Sequence, residues 1–86
     1  MPRYRIEFRK SAEKDLRRLQ PTTSQRVVRA IRLLANNPRP SGCRKLANAR
    51  NAYRIRVGDY RVIYAVSDVV LIVAIESIRH RREVYR

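Results

Sequence analysis

The chain begins with a two-residue alternation. In "RYRIEF", Tyr4, Ile6 and Phe8 interleave with Arg3, Arg5 and Glu7, the period of a strand with one buried face. The period then lengthens. Ala12, Leu16 and Leu19 fall on one stripe of a helix for which Ser11 is the expected N-cap. Pro21 opens a second helix with Val27, Ile31 and Leu34 on its inner side, and "NNPRPSG" ends it with turn chemistry. Beyond Leu46 the period returns to two. "AYRIRV", "YRVIYAV" and "VVLIVAI" read as three strands joined by tight loops at Gly58-Asp59 and Ser67-Asp68, and glycine leading the first loop suits a type II′ turn.

Residues 1–86 are therefore expected to form a single α+β domain. Its order is an N-terminal strand, a helical hairpin, then a three-strand antiparallel meander, with the helices on one face of one sheet and a short basic C-terminal segment. The pattern leaves the docking position of the first strand open.

A loop of Gly58 and Asp59 fixes a register in which Val57 faces Tyr60, Arg56 faces Arg61, Ile55 faces Val62 and Tyr53 faces Tyr64. The second loop then predicts Tyr64 opposite Leu71, Val62 opposite Val73 and Arg61 opposite Ala74. Tyr53, Ile55, Val57, Tyr60, Val62 and Tyr64 take the helices, and Arg54, Arg56 and Arg61 occupy the opposite face. Two arginines set directly across a ladder oppose folding by something under ~1 kcal/mol, a cost that an arriving anion would reverse.

Charge sharpens this picture. Twenty-one Lys and Arg against seven Asp and Glu give a net charge of +14, and the stretch from Leu16 to Gly58 carries no acid at all. The excess is mostly arginine, whose planar fork matches phosphate, so a polyanion is the expected partner. A single cysteine, Cys43, excludes an internal disulfide and fits a reducing cytoplasm. No apolar run approaches the ~20 residues that cross a bilayer, and the helices lack the broad apolar face of a membrane-surface binder. Arg26, Arg29 and Arg32 recur at spacing three as an exposed helical stripe, either solvated or touching a nucleic-acid backbone.

The chain closes on "RHRREVYR". The last strand lies beside the strand carrying Arg61, so a tail that folds back delivers Arg79 and Tyr85 near the arginine face. "YRIRVGDYRVIY" followed by "IRHRREVYR" resembles the RelE toxins, within the wider RelE/ParE superfamily of toxin–antitoxin pairs, and the resemblance covers essentially the whole chain. It implies a metal-independent endoribonuclease, with no cofactor, that cleaves mRNA in the ribosomal A site by attack of the ribose 2′-OH on the adjacent phosphate.

Carried over by position, Arg61 would hold the scissile phosphate, Arg79 would stabilise developing charge or aid the leaving group, and Tyr85 would be the general base. Arg54 and Arg56 stand where typical members carry a pair of lysines. They can clamp phosphate but cannot give up a proton, so the resemblance implies only the clamping role for them. Arg81 and Arg82 would contact RNA. His80 is the alternative base, although alternation along the tail would point it away from Arg79 and Arg81.

The implied partners are an acidic antitoxin, the ribosome with its mRNA, and operator DNA reached only as the toxin–antitoxin complex. A ParE-like inhibitor of DNA gyrase is the rival reading, and a non-toxic basic ribosome-binding protein is a third.

Overall fold

The computed structural model describes residues 3–47 and 49–84, excepting the side chains of Glu83 and Val84. The elements are β1 (Arg5–Phe8), α1 (Lys10–Arg17), α2 (Pro21–Leu33), β2 (Arg44–Lys45), β3 (Ala52–Val57), β4 (Tyr60–Ser67), β5 (Ile72–His80) and α3 (Arg81–Val84). They build a five-stranded sheet in the order β1-β5-β4-β3-β2. β1, whose place the pattern left open, docks parallel to β5, with Arg5 opposite Ile72 and Phe8 opposite Ile75. The other pairs are antiparallel.

The helices cover one face. Ala12 from α1, and Val27 and Ile31 from α2, are fully buried in a cluster with Tyr53, Ile55, Val62, Tyr64, Val66, Val73, Ile75 and Ile78 of the sheet. Each fully buried aliphatic side chain contributes about 1.5–3 kcal/mol, so this face supplies most of the stability of so small a body. Ile31→Ala would leave a cavity at the centre of it, at a cost of about 2–5 kcal/mol.

The first hairpin has the expected register from Val57–Tyr60 through Tyr53–Tyr64. Gly58 has φ +59° while Asp59 is not in the left-handed region, as a type II′ turn requires. Three other details differ from the sequence pattern. Ser11 does not cap α1; Arg9 holds that position without a side-chain hydrogen bond, and the Ser11 hydroxyl donates instead to the Glu76 carbonyl at 2.6 Å. The short edge strand β2 joins the sheet with Arg44 opposite Arg54, two residues being too few for periodicity to reveal. β5 extends to His80, so the ordered sheet includes Arg79.

The second hairpin carries the main correction. β4 and β5 are joined not by two residues but by the loop Asp68–Leu71, in which Val69 and Val70 are 93% and 62% exposed and Leu71 has φ +56°. Arg39 forms two hydrogen bonds to the Asp68 carboxylate and Tyr4 donates a third at 2.6 Å. This network holds Asp68 in the loop, and the β-branched valines that read as strand are left outside the ladder. Tyr64 therefore faces Ile75, not Leu71; Val62 faces Ile78, not Val73; and Arg61 faces Arg79, not Ala74.

A bulge completes the change. Ile63 opposes Ser77 while Tyr64 opposes Ile75, so Glu76 is an extra residue in β5. Side chains alternate faces along a strand, so one inserted residue reverses the parity of everything after it. Val73 and Ile75 point to the helices before the bulge, and Ile78 does so after it. Arg79 is thereby turned to the other face.

Candidate functional site

The face away from the helices carries a row of arginines across three strands. Arg56 on β3 faces Arg61 on β4, and Arg61 in turn faces Arg79 on β5. Neighbouring strands lie about 4.8 Å apart, so three arginine positions stand in a row across the sheet with the central one flanked on both sides. Arg61 is 5% exposed despite its charge. A guanidinium largely removed from water interacts strongly with any anion that reaches it, because little solvent remains to screen the pair.

A cleft of about 310 Å³ opens beside this row, lined by Arg56, Arg61, Arg81 and Arg82 together with Gly58, Asp59 and Tyr60. The return of the chain after β5 builds its far wall. The Arg81 N–H donates to the Asp59 carbonyl at 2.8 Å, tying the start of α3 to the β3–β4 turn. This bond brings Arg81 and Arg82 back over the turn, and the Arg81 guanidinium lies 3.9 Å from the Asp59 carboxylate.

Most of the anticipated site residues are thus gathered in one place. Arg56, Arg61, Arg81 and Arg82 share the cleft, and Arg79 adjoins Arg61. Arg54 does not line it; two residues before Arg56 on the same strand face, it pairs with Ile63 on one side and Arg44 on the other. His80 takes the opposite strand face from Arg79, as alternation predicts, and both its contacts are to residues of the cleft lining. It pairs with Tyr60, meets that ring edge-on at 5.2 Å between centroids, and accepts a hydrogen bond at Nδ1 from the Arg82 N–H. Tyr85 lies outside the described residues.

The structure adds residues that the sequence pattern did not single out. Arg44 joins the arginine face through β2. Asp15 of α1 is 8% exposed, accepts a hydrogen bond from the Ile78 N–H at 2.9 Å, and lies 3.6 Å from Nε of Arg79. Its one sequence signal was position: an acid three residues after Ala12 sits on the edge of the buried stripe of α1. Among the described residues no three of His, Cys, Asp and Glu come together to hold a metal ion, and no helix is long and apolar enough to cross a membrane.

Chemically, the cleft offers planar, permanently charged donors converging from two strands and a short helix onto a space of phosphodiester size. Residues 6–85 match the family model described as the ParE toxin of the type II toxin–antitoxin system parDE. The chain is 32% identical to an Escherichia coli protein named as a RelE-like toxin, over 96% of this chain and 90% of that one. It is 30% identical to a Methanocaldococcus jannaschii protein named as a RelE toxin, covering 98% and 97% of the two. Its fold superposes on the archaeal RelE–RelB complex structure from Pyrococcus horikoshii with a TM-score of 0.82 at 30% identity, covering 92% of this chain and 96% of that chain. By sequence across nearly its whole length and by fold, the chain belongs to the RelE/ParE family of toxins of type II toxin–antitoxin systems.

Proposed function

We propose that this RelE-like toxin is a metal-independent endoribonuclease that cleaves mRNA in the ribosomal A site. The observation that carries the reading is the Arg56–Arg61–Arg79 row set against a cleft whose other wall bears Arg81 and Arg82. Phosphoryl transfer asks the protein mainly for positioning and neutralisation of developing charge, and guanidinium groups supply both. In this reading the ribose 2′-oxygen attacks the adjacent phosphorus, the bond to the 5′-oxygen breaks, and a 2′,3′-cyclic phosphate remains.

Arg61 holds the scissile phosphate, Arg79 stabilises the charge that builds on it, and Tyr85 takes the 2′-OH proton. Arg54, Arg56, Arg81 and Arg82 bind the RNA backbone. A toxin that acts on ribosomes would act in the cytoplasm. A cognate antitoxin is the expected partner, since the Pyrococcus relative was captured as a RelE–RelB complex. The +14 charge calls for an acidic one.

A second reading, inhibition of DNA gyrase without cleavage, is favoured by the match to the ParE family model. The test is cleavage of an mRNA on programmed 70S ribosomes with an empty A site, beside the same RNA free in solution and a gyrase supercoiling assay. Ribosome-dependent cuts with 2′,3′-cyclic ends, lost in Arg61→Ala, support the nuclease. Intact RNA with blocked supercoiling transfers the assignment to gyrase.

A further inference from the structure

Among the described residues, the part of β5 that carries Arg79 is not held at its outer edge by another strand. β1 stops at Phe8 opposite Ile75, and β5 continues for five residues beyond that point, through the bulge, to His80. The start of α1 takes over as the bonding neighbour. The Arg9 N–H donates to the Ile75 carbonyl at 2.9 Å, the Ser11 hydroxyl donates to the Glu76 carbonyl at 2.6 Å, and Asp15 accepts from the Ile78 N–H at 2.9 Å. The same Asp15 oxygen, Oδ2, lies 3.6 Å from Nε of Arg79.

From this geometry we propose that Asp15 is a positioning residue for the RNA-cleavage reaction, fixing the Arg79 guanidinium through Nε; the inference rests on the endoribonuclease reading. A free arginine side chain samples many rotamers, and ordering it against a phosphate costs free energy at the moment of reaction. Asp15 removes part of that cost in advance. Its carboxylate is nearly buried and anchored to the β5 backbone, so it cannot swing away, whereas the Arg79 side chain is half exposed. Engaging Nε leaves the Nη hydrogens for an incoming phosphate. The carboxylate also balances one of three neighbouring cations without entering the cleft, whose lining does not include it.

The test compares wild type with Asp15→Asn, in which the amide oxygen still accepts the Ile78 N–H while the charge facing Nε is lost. Two quantities are read: the Arg79 Nε–H resonance in a nitrogen–proton correlation spectrum, and the single-turnover cleavage rate on ribosomes as a function of ribosome concentration. The expected result is a shifted or exchange-broadened Arg79 Nε–H with the Ile78 amide in place. The saturating rate then falls about 10- to 100-fold at an unchanged half-saturating concentration. An unchanged rate, or a reduced rate with an unaltered Arg79 Nε–H, overturns the proposal, since a purely structural role would not act through that guanidinium. Wild-type protein that cleaves nothing would sink the nuclease reading instead, and the Nε–H signal would still decide whether Asp15 orients Arg79.

Discussion

Arg61 and Arg79 are direct cross-strand partners on β4 and β5, on the face of the sheet away from the helices. With Arg56 on the other flank of Arg61, the sheet places like charges in the positions where cross-strand pairs interact most. A fold that keeps such a row accepts a small cost in stability, and an arriving anion would relieve the repulsion that remains beside the Asp15–Arg79 contact.

Arg79→Ala should therefore separate activity from stability. The Arg79 side chain is half exposed, and its removal both relieves repulsion from Arg61 and takes the counter-charge from Asp15, so the unfolding midpoint in urea should change little, within about 1 kcal/mol. Cleavage should fall by about 100-fold or more, the usual loss when one donor to a developing oxyanion is removed. Arg61→Ala should lose at least as much activity. Being 5% exposed, however, Arg61 also packs, and its truncation should cost about 1–3 kcal/mol in the same urea titration.

The bulge at Glu76 makes a stronger demand on the sequence than any single side chain. Deleting Glu76 restores simple alternation, which would turn Arg79 toward the helices and Ile78 out of the core. Losing the burial of Ile78 alone costs about 2–3 kcal/mol, before the charge is considered. Thermal unfolding should drop by about 10 °C or more for a domain of this size, and cleavage should vanish with it. Glu76→Ala keeps the residue count and should keep both. An active deletion variant would show that the bulge is not what orients Arg79.

The legible parts of the fold were those with strong periods. Tyr53 through Tyr64 alternate cleanly around a Gly-Asp loop, and their register could be read residue by residue. The second hairpin misled because Val69 and Val70 carry strand propensity, while what decides the loop is Arg39, which reaches Asp68 from 29 positions away. A bulge has no sequence signature when its extra residue is an ordinary glutamate, so the pairing of Arg61 with Arg79 could not be derived from alternation. The arginines themselves were visible as candidates from type and resemblance; their convergence on one cleft and the contact of Arg79 with Asp15 are tertiary facts.

The loop network predicts two pH limbs. Asp68 is held below its ordinary value of 3.8 by its hydrogen bonds from Arg39 and Tyr4, so the folded state favours the carboxylate. A depressed acid contributes stability above its unfolded pKa and loses it as pH falls through the folded value, hence below about pH 4. Tyr4 is raised above 10.0 by its hydrogen bond to Asp68, and burial pushes Tyr64 up as well, with the Tyr64 hydroxyl donating to the Pro38 carbonyl at 2.7 Å. For a phenol the sign reverses: the contribution is complete below the unfolded value and is lost as pH rises past about 10. Thermal midpoints measured from pH 2 to 12 should fall at both ends. Asp68→Asn should flatten the acid limb, and Tyr64→Phe should flatten the alkaline one at a cost of about 1 kcal/mol at neutral pH. Limbs that persist unchanged in both variants would assign the titration to other groups.

The proton acceptor can be settled between two residues. An imidazole is a common catalytic base, but the His80 ring stands edge-on to Tyr60 and its Nδ1 accepts the Arg82 N–H, on the opposite strand face from Arg79. A base must come within hydrogen-bond reach of the 2′-OH it deprotonates, so placement decides between the two. His80→Gln can keep an acceptor for the Arg82 N–H and should change the single-turnover rate less than about 5-fold, with the pH–rate profile unmoved. Tyr85→Phe should slow cleavage about 100-fold or more while substrate binding is retained, because only the hydroxyl is removed. The reverse pattern, a large loss in His80→Gln with Tyr85→Phe little changed, would hand the role to the histidine and require its ring to leave Tyr60 on the ribosome.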